Sequence, residues 1–125
     1  MEADEKLRRL EKILAELKEN WIFVEGLRDR KALNSFGLRN ILTISGNLRL
    51  SCERLHGHAQ KVVILTDLDR RGDQLAALAV DELGSHSIKA DLSHRKLLGR
   101  LLNIRHFEDA RIGYERLIKE VEENG

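Results

Sequence analysis

The chain has 125 residues with 22 basic and 21 acidic side chains, a formal net charge of +1, so bulk electrostatics demands no anionic partner and any grip on one must be local. A single cysteine, Cys52, excludes an internal disulfide, no His or Cys spacing matches a zinc motif, and no apolar run approaches a membrane span. The first twenty residues, "MEADEKLRRLEKILAELKEN", are too charged for a secretory signal, so a cytoplasmic, reducing setting and no membrane partner are expected.

In chain order, Leu7, Leu10, Leu14 and Leu17 recur at helical spacing, with Ile13 widening the stripe, and predict an amphipathic helix over 4 to 19. "WIFVE" at 21 to 25 reads as a strand. Gly26 and a helix from about 28 to 36 follow, then a second strand, "NILTIS", at 40 to 45. Gly46 and Asn47 turn into a helix with Leu48, Cys52 and Leu55 on one face. "KVVILT" at 61 to 66 has the continuous apolar character of a strand buried on both faces, as a parallel sheet requires.

Leu75, Leu78, Ala79 and Leu83 then predict a helix over 71 to 83, with Gly84 as its stop. "SIKAD" at 87 to 91 reads as a weaker fourth strand, followed by a helix near 94 to 103 and a last one over 107 to 123. No proline, linker or low-complexity tract interrupts the chain, so one domain over 1 to 125 is expected. It divides into an N-terminal helix (1 to 20), a core (21 to 92) and C-terminal helices (93 to 125). The alternation of strand and helix implies βαβ units, hence an α/β fold with a Rossmann-like, mainly parallel sheet of about four strands flanked by helices.

"VVILTDLDRRGDQLA", 62 to 76, ends its strand with two aspartates one residue apart. Partly desolvated like charges repel by a few kcal/mol, so a helix N-terminus, neighbouring arginines or a divalent metal must compensate. Right-handed crossovers bring Glu25, at the end of the first strand, to the same sheet edge as Asp67 and Asp69. Ligands bind beyond such edges. An oxygen-only cluster suits a hard cation, Mg²⁺ with Mn²⁺ as substitute, and disfavours zinc. Asp-x-Asp alone is as readily a helix cap; a third acid at another strand end serves no cap of the same helix. Gly26 and Gly72 let a ligand approach the turns, and Arg28, Lys31, Arg70 and Arg71 lie beside them as candidate phosphate contacts. Together these point to phosphoryl or phosphodiester chemistry.

"FVEGLRDRKAL" at 23 to 33 and "ILTDLDRRGDQLA" at 64 to 76 together resemble the Toprim domain of primases, topoisomerases, ribosomal-RNA maturases and old-family nucleases. A stand-alone small Toprim protein fits the chain length best. The resemblance covers roughly residues 21 to 92. It implies that Glu25 is a general acid or base and that Asp67 and Asp69 bind Mg²⁺, and with the three acids at one edge the expected metal set is Glu25, Asp67 and Asp69. Asp29 and Asp73 follow as secondary acids of the pattern. Arg71 departs from it, standing where topoisomerases commonly carry an acid, which puts a second metal bound in their manner in doubt.

Between Asp91 and Glu108 the chain holds Arg95, Lys96, Arg100 and Arg105 with His94 and His106 and no acid. A solvated face is the commoner meaning of such a run. The alternative is that Arg95, Lys96 and Arg100 project from a helix toward a nucleic-acid backbone. Tyr114 and Cys52 read as packing residues. Trp21 is expected against the N-terminal helix, and His56 and His58 read as a helix C-terminus in solvent. Two function classes result. One is an Mg²⁺-dependent nuclease or nucleotidyl-transfer enzyme acting on RNA or DNA; the other is a non-catalytic metal- and nucleic-acid-binding module of a larger assembly, with room for a protein partner or a homodimer. A receiver domain ranks lower, because a single Glu25 replaces its paired acids and Lys89 lies inside the last strand. A haloacid-dehalogenase-type phosphatase ranks lowest.

Overall fold

A computed structural model describes residues 1–124. The elements run α1 (Ala3–Leu17), β1 (Trp21–Val24), α2 (Leu27–Asn34), β2 (Ile41–Thr43), α3 (Leu48–Leu55), β3 (Lys61–Ile64), α4 (Arg70–Ser85), β4 (Lys89–Asp91), α5 (Arg95–Leu102), a 3-10 turn (Phe107–Asp109) and α6 (Ala110–Asn124). The four strands form one parallel sheet in the order β2-β1-β3-β4. Ile22 pairs with Ile41 on one side and with Val63 on the other, so β1 and β3 lie side by side at the centre. The α/β class and the parallel sheet expected from the alternation are therefore present. No helix among the described residues is long and apolar enough to cross a membrane.

Period-two alternation sorts the central strands onto two faces. Ile22, Val24, Val63 and Leu65 join Leu10, Ile13 and Leu17 of α1, Leu98 and Leu102 of α5, and Phe107 in one core. Phe23, Val62 and Ile64 join Cys52, Leu55, Ala76, Ala79 and Leu83 in a second core beneath α3 and α4. Burial in that second core pushes the Cys52 thiol up to about 11 and suits a small apolar packing residue.

Three local expectations are corrected. Trp21 packs on the α3/α4 core, not against α1, because it shares the strand face of Phe23 while Ile22 and Val24 face α1. Gly84 does not stop α4, which runs to Ser85; a Cβ there would meet no atom within 4 Å, so the glycine is simply carried inside the last turn. The last helix begins with the 3-10 turn, and α6 proper starts at Ala110. Tyr114 packs edge-on against Phe36, with ring centroids 5.3 Å apart.

Candidate functional site

Reversal of strand order between β1 and β3 makes their shared carboxyl edge the switch point at which ligands of open α/β sheets bind. Glu25 follows β1 directly. Its Oε2 accepts a hydrogen bond from the backbone N–H of Asp67 at 2.6 Å, which ties the two strand ends together. Burial pushes the Glu25 carboxyl above its ordinary value; the Asp67 N–H opposes this, and the charges of Asp67 and Asp69 add to it.

The loop from Thr66 to Asp69 is built by close contacts. Thr66 is buried, and its hydroxyl donates to the Gly72 carbonyl at 2.7 Å. A Cβ on Gly72 would lie 1.8 Å from the Asp67 carbonyl oxygen, so only glycine lets the first turn of α4 rest on this loop. Asp69 is the N-cap of α4, its Oδ1 accepting from the Gly72 N–H at 2.7 Å. Asp67 Oδ1 accepts from the Phe107 N–H at 2.9 Å. Each aspartate thus has one oxygen anchored by backbone and the other left to face the site. Asp29 plays a different part. It is 6% exposed, its Oδ2 accepts from the Gly26 N–H at 2.9 Å, and burial raises its pKa against that bond.

Arg95 corrects an expectation. It does not project toward solvent: it is 5% exposed, and its guanidinium donates to the Thr66 carbonyl at 2.8 Å, to the Asp67 carbonyl, and to Asp73 Oδ1 at 2.8 Å. A planar fork of donors suits these acceptors, two carbonyls from the loop and a carboxylate from the first turn of α4. Arg95 is therefore a brace beneath the Asp-x-Asp loop and offers nothing to a nucleic-acid backbone. Lys96 and Arg100 on the same helix are exposed. They line a groove of about 420 Å³ together with Leu68, Asn103 and Arg105.

An imidazole also stands beside the expected carboxylates. His106 Nδ1 lies 3.3 Å from Asp67 Oδ2 and 3.7 Å from Asp69 Oδ2, and Asp67, Asp69 and His106 each bring a ligand atom within 4.8 Å of the others. The hydrogen bond with Asp67 raises the imidazole pKa, reinforced by the charges of Asp67 and Asp69. Glu25 adjoins this trio through the Asp67 backbone. Two carboxylates and an imidazole fit a divalent cation, with a mixed nitrogen and oxygen character. In the sequence His106 stands only as one of the two histidines of a basic run. Its one usable signal, a histidine after a predicted helix end, names no partner.

Cations flank the edge. Arg70 and Arg71 are exposed at the start of α4. Arg28 stands 4.0 Å from Glu108, and with Lys31 it lines a cleft between α2 and the 3-10 turn. Far from the site, His56 and His58 are exposed at the end of α3, and His56 Nδ1 approaches the His86 carbonyl at 2.9 Å. Lys89 opens β4 at the opposite end of the sheet from Asp67, which does not suit a receiver domain.

No family model matches the chain. It is similar to archaeal proteins described as UPF0292 proteins. One from Methanosarcina acetivorans is 34% identical over 127 residues, covering 91% of this chain and 83% of the relative. Another, from Thermococcus kodakarensis, is 32% identical over 119 residues, covering 91% and 90%. Among solved structures, a protein from Aquifex aeolicus is 32% identical with a TM-score of 0.72, covering 80% of this chain and 96% of that one.

Proposed function

The chain belongs to the UPF0292 family, and we propose that its acidic sheet edge is a divalent-metal site, Mg²⁺ with Mn²⁺ as substitute, for phosphodiester chemistry on RNA or DNA. The observation that carries this reading is the hydrogen bond that ties Glu25 to Asp67 at the carboxyl ends of two adjacent parallel strands, with a carboxyl of raised pKa beside the carboxylates of Asp67 and Asp69. The resemblance of the two motifs to the Toprim domain supports the same assignment.

A bound divalent cation supplies a Lewis acid for a phosphoryl oxygen. The chain's own residues do the rest. Asp67 and Asp69 hold the cation through the oxygens not anchored to Phe107 and Gly72. Glu25 spends Oε2 on the Asp67 N–H, and burial raises its pKa toward the range in which a carboxyl exchanges protons with a substrate or water. Arg28, Lys31, Arg70 and Arg71, with Lys96 and Arg100 along the neighbouring groove, give a phosphate backbone its cationic path.

The test is cleavage of structured RNA and of single-stranded DNA by the full chain with Mg²⁺ or Mn²⁺. Metal-dependent cleavage lost in Glu25→Gln, with binding retained, is the expected result. Binding without turnover in the wild type moves the protein to the non-catalytic class, a module of a larger assembly. Absence of both binding and cleavage removes the reading.

A further inference from the structure

The segment that carries His106 is built into the loop that carries the aspartates. α5 ends at Leu102 and is capped by Asn103, which takes a left-handed conformation with φ 53°, and the Ile104 N–H returns to the Gly99 carbonyl at 2.9 Å in the manner of a Schellman cap. The cap redirects the chain across the mouth of the Asp-x-Asp loop. There the residues on both sides of His106 are pinned to that loop. The Arg105 carbonyl accepts from the Leu68 N–H at 2.6 Å, and the Phe107 N–H donates to Asp67 Oδ1 at 2.9 Å. His106 is thus bracketed by two backbone bonds to the segment that holds both aspartates.

The free oxygens then converge on one ring nitrogen. With Asp67 Oδ1 on Phe107 and Asp69 Oδ1 on Gly72, the Oδ2 atoms of both residues face His106 Nδ1. Anchoring one oxygen of each carboxylate by a backbone N–H is the kind of support that orients metal ligands. We propose that His106 is the third protein ligand of the metal held by Asp67 and Asp69, and that the site therefore prefers a first-row transition cation of the Mn²⁺ class to Mg²⁺. This rests on the divalent-metal reading above and reverses its order of Mg²⁺ and Mn²⁺. Mg²⁺ favours oxygen donors and keeps its waters, whereas imidazole is a good ligand for the borderline cations of the first row.

The test is metal binding by the chelator-treated full chain with no nucleic acid present. Free Mn²⁺ is followed by its electron paramagnetic resonance signal, and Mg²⁺ is used as competitor. Wild type is expected to bind Mn²⁺ in preference to Mg²⁺. His106→Ala should weaken Mn²⁺ binding by about tenfold or more, with a much smaller change for Mg²⁺, so that the preference collapses. His106 is 46% exposed, so the variant is expected to keep its melting temperature in metal-free buffer, which a thermal melt checks. Mn²⁺ affinity unchanged in the variant, or equal losses for both cations, overturns the proposal and leaves His106 as an ion-pair partner of the aspartates. A wild type that binds neither cation overturns it together with the metal reading itself. Failure of the cleavage assay alone touches only the catalytic role.

Discussion

The turns after β1 and β3 carry similar residues, an acid at the strand end, a glycine and a second acid, yet they are held by different forces. In the first, Asp29 caps the Gly26 N–H from the third position of α2 and is itself buried, so this acid is used inside the turn. Gly26 sits in extended backbone with φ −143°, and the nearest atom to an added Cβ is 4.0 Å away. The second turn is closed by contact. Gly72 rests on the Asp67 carbonyl, Arg95 clamps two carbonyls of the loop from below, and both aspartates keep an oxygen facing outward. An acid near a glycine at a strand end therefore marks a strand-to-helix turn. Whether the acid serves the turn or a ligand depends on which N–H groups reach it.

The largest expected effect separates the two glycines. Gly72→Ala drives a methyl into a backbone carbonyl and should cost about 3 kcal/mol of unfolding free energy; a loss below roughly 1 kcal/mol in urea unfolding would mean that the loop relaxes easily and the contrast fails. Arg95→Met comes next, at about 2 kcal/mol, because the Thr66 and Asp67 carbonyls lose their charged donor. Asp73 adds little, being well exposed. A melting temperature equal to that of wild type would show that water replaces the brace.

A smaller effect tests the inward-facing acid. Burial raises the pKa of folded Asp29 above its ordinary value, so between those two values the folded state binds more protons than the unfolded one. Its contribution to stability is complete below the ordinary value, near 3.9, and is lost as pH rises through the folded one. Stability of wild type relative to Asp29→Asn should decline over that window, and parallel stability curves would contradict it. The smallest effect is Gly26→Ala. A Cβ fits there, and the entropy it removes from the unfolded chain offsets the weaker N-cap, so unfolding should shift by less than about 0.5 kcal/mol. A loss comparable to that of Gly72→Ala would erase the distinction between the turns.

Much of the architecture is readable from local pattern. Val62, Val63, Ile64 and Leu65 form an unbroken apolar run and are buried on both faces of a central parallel strand. The stripe Leu10, Ile13 and Leu17 is the buried face of α1. Element order together with right-handed crossovers is enough to put Glu25, Asp67 and Asp69 at one sheet edge. These features follow from sequence because a period of 2.0 or 3.6 is a property of a few consecutive residues, and crossover handedness follows from backbone chirality.

What only the tertiary structure decided are the partners that meet across long loops. Arg95 shares its helix and its charge with Lys96 and Arg100, and no local pattern separates the buried brace from the exposed pair. Its side chain turns inward because two carbonyls of a loop 28 and 29 residues earlier, and Asp73 in the helix that follows, lie within its reach. His106 joins Asp67 across 39 residues, since the left-handed Asn103 and two backbone bonds to the loop place it there. Trp21 took the α3/α4 face through strand phase, which is set by how the whole sheet docks between its two helical layers. Chain pattern specifies which face of an element is apolar; which polar groups converge depends on where the ends of distant elements come to rest, and that is settled only when the cores on both sides of the sheet pack.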